Sequence, residues 1–195
     1  MSSKKNKKVF NLTIVGLMTA IATVIYMGPE IPIVPGVDYM KIDFSDVPAI
    51  LTGVIFGPVQ GILVEIFKNI IHLTRTTTFG IGEIMNIVIG SSMILSMSLL
   101  VKLFKKIFKS NKLNLKIYFI SSAITIVVAI VTGWIANLVF TPIFYNIMGI
   151  PLVTETYLAG VWGSTTLNSI KSAFNILPFF PIYFALEKGV KKYTI

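Results

Sequence analysis

The sequence predicts an all-α integral membrane protein, a bundle of six transmembrane helices whose second and third helices are short or broken. Of its 195 residues, 54% are hydrophobic and only 13% are charged, and the mean hydropathy is +0.83. Such a chain is too apolar for a domain that must face water on all sides. A membrane crossing needs about 20 apolar residues, so this length accommodates about six crossings in a single membrane domain, residues 1–195.

The positions of the basic residues predict the orientation in the cell membrane. Thirteen of the 17 basic residues fall into three clusters, in the N-terminal tail, one central loop and the C-terminal tail. The clusters are Lys4, Lys5, Lys7 and Lys8; Lys102, Lys105, Lys106, Lys109, Lys112 and Lys116; and Lys188, Lys191 and Lys192. With six spans all three lie on one side, which the positive-inside rule makes cytoplasmic. The net charge of +9 therefore reflects topology and requires no nucleic-acid partner.

The first span is predicted from about Val9 to Met27. Its lysine-rich start resembles a signal peptide, but because the apolar run is long and five more follow, we expect it to stay as a span. Gly16 and Ala20 are small residues one turn apart, which suits either close approach by a partner helix or ordinary packing within the bundle. The following segment, residues 28–41, contains three prolines and is predicted to be an outside loop, either a connector or a cap over a site.

The second apolar stretch, from Ile42 to Phe56, is too short for an unaided perpendicular crossing. Gly53, Gly57 and Gly61 recur every four residues, and Pro58 interrupts the helix. We therefore predict two closely packed short helices joined at Gly57 and Pro58, because a helix break at membrane depth is tolerated where it is buried in protein or lines a cavity.

One face of the third span is polar. Glu65, Lys68, Asn69 and His72 follow at i, i+3, i+4 and i+7, a spacing that puts them on one side of a helix. A charge in the bilayer centre costs about 2.5–3.5 kcal/mol on insertion scales, so this face must meet protein, water or a ligand. Glu65 and Lys68 could be a structural ion pair or part of a cavity wall. His72 is interpreted as a hydrogen-bonding residue rather than a metal ligand, since the chain has one histidine.

Three further spans are predicted, each with polar residues inside it. The fourth, about Ile84 to Leu103, carries Asn86 near its outer end, and the fifth, about Ile117 to Ile143, carries Asn137. The sixth starts near Ala159, and one of its faces presents a second polar stripe. This stripe consists of Ser164, Asn168, Lys171 and Asn175. A lysine well inside a span, accompanied by asparagines, indicates a wet or ligand-filled interior.

Charge and motif content narrow the class of ligand. Outside the cytoplasmic clusters there are four basic and seven acidic residues, a balance of −3 when Glu187 of the C-terminal tail is left out. A polyphosphate arriving from outside would be repelled, whereas asparagine amides and a lysine suit a neutral polar heterocycle. The chain has no cysteine, which excludes disulfides and thiolate chemistry. It also lacks a P-loop, so ATP-driven transport would need a partner that hydrolyses the nucleotide.

Several stretches resemble one known family, the riboflavin-specific S components of energy-coupling factor (ECF) vitamin transporters. They are Lys41-Ile42-Asp43-Phe44-Ser45-Asp46-Val47-Pro48, Gly57-Pro58-Val59-Gln60-Gly61 and Glu65-Ile66-Phe67-Lys68-Asn69-Ile70-Ile71-His72. The resemblance extends over essentially the whole chain.

This resemblance implies riboflavin capture without catalysis, in a cavity near the extracellular side and under the first outside loop. The implied ligand-binding residues are Asn137, Asn168 and Lys171, with Met40 and Lys41 closing from the loop. The implied partners are a membrane coupling (T) subunit, which would dock on Gly16 and Ala20, and two cytoplasmic ABC-type ATPases. The family pattern at that position is Ala-x-x-x-Ala, and this chain has glycine first. Riboflavin would be the transported ligand, with no cofactor.

Alternatives remain open at this stage. Another vitamin or precursor could be the ligand. A membrane-embedded enzyme could use Asp43 and Asp46 as a metal-binding carboxylate pair, although such sites usually need more carboxylates. A third hypothesis is an ion-coupled transporter subunit that works without an ATPase.

Overall fold

The protein is a bundle of seven α-helices in the part of the chain that the structure describes. This computed structural model describes the backbone of residues 2–28, 31–32 and 41–190, and the side chains of residues 8–28 and 42–186. The helices are α1 (Ser2–Met27), α2 (Asp46–Phe56), α3 (Pro58–His72), α4 (Ile81–Ile107), α5 (Leu115–Ile147), α6 (Thr154–Ile176) and α7 (Phe179–Val190).

Four helical stretches among the described residues are long and apolar enough to cross a membrane. They are Lys8–Met27, Ile81–Ile107, Leu115–Ile147 and Thr154–Leu186. Helices α2 and α3, of 11 and 15 residues, fall short of the about 20 residues that a perpendicular span needs. The four long stretches and the two short helices together make six segments. This confirms the predicted bundle with its short second and third helices.

The predicted break between α2 and α3 is confirmed. Gly57 ends α2 with φ of 119°, a conformation that glycine adopts without steric cost, and Pro58 occupies the first turn of α3. Glycine also permits the close packing of the two helices. A Cβ atom on Gly61 would lie 2.6 Å from the carbonyl oxygen of Ala49 and 2.7 Å from the Cα of Gly53.

The structure differs from the sequence-based expectation in three places. The predicted sixth span is divided into α6 and α7, because Pro178 at the junction has no N–H to continue the helical ladder. Helix α6 begins at Thr154, five residues before the predicted start at Ala159. A two-residue antiparallel ladder, β1 (Ile31–Pro32) with β2 (Lys41–Ile42), lies between α1 and α2.

The apolar core lies toward the end of the bundle where α4 ends and α5 begins. Fully buried side chains there include Met97, Ile117 and Phe179. Helix α4 packs along α5, α5 along α6, and α1 and α2 against α3. The outward faces expose large apolar side chains such as Val24, Leu99 and Val127, as expected of a surface that meets lipid. Packing the core at one end leaves the other end open for a cavity.

Candidate ligand-binding cavity

A cavity of about 480 Å³ lies at the end of the bundle where α1, α3 and α5 end and where α4 and α6 begin. Five of the residues singled out in the sequence line it, from four different helices: His72, Asn86, Asn137, Asn168 and Lys171. Ser164 of the second polar stripe also lines it. The volume falls within the about 300–1,000 Å³ typical of small-molecule sites.

Lys171 is the cation in the deep part of this cavity. Its Nζ atom lies 2.9 Å from Oδ2 of Asp43 and donates to Oδ1 of Asn86 at 3.3 Å. The lysine is 7% exposed, so its charge is compensated by the protein rather than by water. Asp43, one of the two carboxylates of the metal-enzyme hypothesis, is thus the direct partner of Lys171.

Asn137 lines the cavity and has a buried acceptor without a hydrogen-bond partner among the described residues. Its Nδ2 atom donates to Thr165 Oγ1 at 3.2 Å, while its Oδ1 atom has no partner among the described residues. A buried carbonyl left unpaired costs about 1–3 kcal/mol, so this atom is suited to accept a hydrogen bond from a ligand. It lies in the same cavity as Asn168 and Lys171.

Tyr26 and His72 form an aromatic pair on the cavity wall. The two rings stack with centroids 3.6 Å apart and an interplanar angle of 7°, and the Tyr26 hydroxyl accepts a hydrogen bond from Asn86 Nδ2 at 2.6 Å. The Lys171 ammonium also lies 5.5 Å from the centre of the Tyr26 ring, within the range of a cation–π contact. These contacts give the wall a rigid, flat, partly polar surface.

Glu83 organises the loop at the cavity mouth. Its Oε1 atom lies 2.9 Å from His72 Nδ1, and its Oε2 atom accepts from Thr76 Oγ1 at 3.0 Å and from Thr78 Oγ1 at 3.3 Å. The two threonines in turn accept from the backbone N–H groups of Gly80 and Gly82. Glu83 is therefore the centre of a hydrogen-bonded rim rather than a free carboxylate.

Among the described residues, the charges of the cavity lining balance. Asp43 and Glu83 are acidic, and Arg75 and Lys171 are basic. Arg75 Nη1 donates to the carbonyl oxygen of Met27 at 3.1 Å, which ties the end of α1 to the end of α3. A lining without excess charge suits a neutral polar ligand, because binding then leaves no uncompensated charge in the bundle.

Three residues that the sequence placed on a possible cavity wall lie elsewhere. Glu65, Lys68 and Asn69 are fully buried and are absent from the cavity lining. Lys68 contacts Asp46, lies 2.9 Å from Glu65 Oε2 and donates to Ser45 Oγ at 3.0 Å. Of the two interpretations left open by the sequence, this geometry is that of a structural ion pair, because α2 and α4 pack over this face of α3.

The two carboxylates of the metal-enzyme hypothesis do not act as a pair. Asp43 is bound by Lys171 and Asp46 by Lys68. Each acid is thus already neutralised by a different lysine, which removes the basis for a shared metal ion.

The remaining predicted residues are two whose side chains are outside the described part of the chain and two on α1. Met40 is outside the described residues, and of Lys41 only the backbone, in β2, is described. Gly16 and Ala20 are exposed on α1. A Cβ atom added to Gly16 would meet no atom within 4 Å, so this face of α1 is open.

The sequence analysis missed Tyr26, Glu83, Arg75 and Tyr145 as cavity residues. Tyr26 stands in the last turn of the first span, where an aromatic residue is usually assigned to the membrane interface. Arg75 lies between α3 and α4 and Glu83 lies in the first turn of α4, and in the sequence nothing beyond their position near the outer end pointed to the cavity. Only the packing of α1, α3 and α4 around one space identifies them.

The comparisons with known proteins agree with this fold and cavity. The family model "ECF transporter, substrate-specific component" matches residues 10–183. The chain is 30% identical over 194 residues to the riboflavin transporter FmnP of Bacillus subtilis (strain 168), covering 95% of this chain and 96% of that protein.

Two further similarities agree with it. A half-length match, 32% identical over 97 residues and covering 49% of each chain, joins it to the riboflavin transporter RibU of Staphylococcus aureus (strain TCH60). The solved structure of the S component of a bacterial ECF transporter superposes with a TM-score of 0.76 at 26% identity, covering 94% of this chain and 99% of the other. The chain belongs to the substrate-specific components of ECF transporters.

Proposed function

We propose that this protein captures riboflavin from outside the cell and mediates its uptake as the S component of an ATP-driven ECF transporter. As a member of a family of transporter substrate-binding subunits, the chain is not an enzyme. Two relatives are named riboflavin transporters, and the cavity is of a size and charge that suit a neutral, polar, aromatic vitamin. Binding and docking would both take place in one membrane domain.

One observation carries the proposal: Asn137, which has an unpaired buried amide oxygen, and Lys171, which has a buried ammonium, line the same cavity. The flavin ring system presents an edge that alternates carbonyl oxygens with an N–H group. The Asn137 oxygen would accept from that N–H, the Lys171 ammonium would donate to a ring carbonyl, and the Asn168 amide supplies both functions. Met40 and Lys41 would close over the ligand from the first outside loop.

The transporter partners are part of the proposal. The chain carries no P-loop, so the energy for uptake would come from two cytoplasmic ATPases that act through a membrane coupling subunit. The exposed Gly16 and Ala20 face of α1 would contact that coupling subunit. Both termini and the α4–α5 loop, where the lysines cluster, would lie in the cytoplasm.

Purification from riboflavin-containing medium tests the proposal directly. We expect a yellow protein that releases riboflavin on denaturation, identified by mass spectrometry. Stripped protein should quench riboflavin fluorescence at a stoichiometry of one. A colourless preparation that leaves riboflavin fluorescence unchanged would refute the proposal, and a different released vitamin would reassign the ligand.

A further inference from the structure

Residues 43–46, which run from the end of strand β2 to the first residue of helix α2, are held from two sides by other helices. From α6, Lys171 pairs with the Asp43 carboxylate at 2.9 Å. From α3, Lys68 binds Ser45 and Asp46. This segment therefore connects the buried ion-pair cluster of α3 with the cavity lysine of α6.

Asn175 of α6 binds the main chain of the same segment at two points. Its Oδ1 atom accepts from the N–H of Asp46 at 3.2 Å, and its Nδ2 atom donates to the carbonyl oxygen of Asp43 at 2.9 Å. Among side chains of this size an amide can donate and accept at once in this way. Asn175 is fully buried and does not line the cavity, so it makes no contact with a ligand there.

Asp43 links the main chain that Asn175 binds to the cavity residue Lys171. Its Oδ1 atom accepts from the N–H of Ser45 at 2.8 Å, and its Oδ2 atom meets the Lys171 ammonium. A lysine has a long flexible side chain whose ammonium has no preferred direction of its own. The position of the Asp43 main chain therefore sets the place of the nearer of two partners of the Lys171 ammonium, Asp43 at 2.9 Å and Asn86 at 3.3 Å.

We propose that Asn175 is a positioning residue for the ligand site: it fixes residues 43–46 so that Asp43 directs the Lys171 ammonium into the cavity. The inference rests on the proposed function, since it needs a ligand that Lys171 recognises. Asn175 would thus affect riboflavin affinity through Asp43 and Lys171.

The test is a double-mutant cycle between Asn175 and Asp43, read by riboflavin fluorescence quenching of the full chain. Asn175→Leu keeps the shape and removes both hydrogen bonds to residues 43–46, together with the 3.1 Å bond from Asn175 Nδ2 to the Lys171 carbonyl oxygen of its own helix. Asp43→Asn removes the charge that holds Lys171. Each single variant should weaken riboflavin binding by about tenfold, the equivalent of one or two hydrogen bonds. If Asn175 acts through Asp43, then Asn175→Leu should weaken binding by less than about twofold in the Asp43→Asn background.

Asn69→Leu is the matched control. Asn69 is equally buried, but its amide binds only Glu65 of its own helix, at 2.8 Å to both the backbone and the side-chain oxygen. A substitution that only lowers the overall stability should weaken riboflavin binding by the same factor in the wild-type and the Asp43→Asn backgrounds. Asn69→Leu is expected to behave in this way. If Asn175→Leu prevents folding, Asn175→Ala leaves room for a water molecule at the two peptide groups and should show the same dependence on Asp43.

The outcomes separate this inference from the proposed function. Wild-type protein that ignores riboflavin would overturn the proposed function. Wild-type protein that binds riboflavin, with losses from Asn175 and Asp43 that simply multiply, would overturn only the positioning role. Unchanged affinity in Asp43→Asn would overturn it too, because Asp43 would then not direct Lys171.

Discussion

At the scale of single residues, Lys171 illustrates how one side chain serves two partners. It is bound to Asp43 and Asn86 and also lines the cavity. Removing it therefore has two consequences that can be separated, one for the ligand and one for the buried aspartate.

Lys171→Met should reduce riboflavin affinity at least about tenfold, since a hydrogen bond from a charged donor contributes about 1.5–3 kcal/mol. It should also lower thermal stability, because Asp43 is left buried without its cation. Adding Asp43→Asn to Lys171→Met should restore stability and leave affinity low. Recovery of affinity in this double variant would mean that Lys171 serves Asp43 alone.

Asn137→Leu is expected to lower riboflavin affinity and to leave thermal stability nearly unchanged, whereas Lys171→Met should lower both. The substitution removes an acceptor that has no partner in the described structure and one 3.2 Å hydrogen bond to Thr165. Thermal stability should therefore change by less than about 1 kcal/mol, while riboflavin affinity should fall about tenfold. Thr165→Val, which removes the same hydrogen bond from the other side, is the control and should bind nearly normally. Equal losses in the two variants would contradict a direct contact by Asn137.

At the scale of elements, the ion-pair cluster around Lys68 holds α2 against α3. Lys68→Met should destabilise the protein by about 3–5 kcal/mol, because Asp46 and Glu65 would remain buried without a cation. The triple variant Lys68→Met, Asp46→Asn, Glu65→Gln should recover most of that loss in thermal unfolding. A triple variant no more stable than the single one would show that the cluster contributes more than charge compensation.

Glycine packing between α2 and α3 gives a second prediction at this scale. Gly61→Ala should destabilise by about 1–3 kcal/mol, since its Cβ would press on the main chain of α2 at 2.6 Å. Gly16→Ala, with open space around it, should be neutral or stabilising by up to about 1 kcal/mol through helix propensity. Thermal unfolding of the two variants side by side tests this, and equal melting temperatures would contradict the packing argument.

At the scale of the whole molecule, the cavity and the proposed docking face are separated in space. The cavity lies at one end of the bundle, and Gly16 and Ala20 lie on the open outer face of α1. The proposed transport cycle therefore allows a variant that binds riboflavin and does not transport it.

Gly16→Leu is expected to be such a variant. A Cβ atom at this position meets no atom within 4 Å, and the position lies far along α1 from the cavity, so riboflavin binding by the purified protein should stay within about twofold of wild type. Uptake by cells that contain the coupling subunit and the ATPases should fall sharply. Ala123→Leu, at an exposed small residue of α5, is the matched control and should transport normally. Normal uptake by Gly16→Leu would place the docking surface elsewhere.

The sequence by itself determined the membrane class, the helical segments, the Gly57 and Pro58 break, and the polar stripes, because hydropathy, helical periodicity and proline geometry are local properties. Only the tertiary structure decided how the charges pair. In the sequence, Lys68 and Lys171 are both lysines inside predicted spans. In the structure, Lys68 is fully buried in an ion-pair cluster, whereas Lys171 lines the cavity. Asn175 and Asp43, 132 residues apart, meet only after α6 packs against the start of α2. Such pairings depend on which helices are neighbours and how each is rotated, and i, i+4 spacing does not encode either.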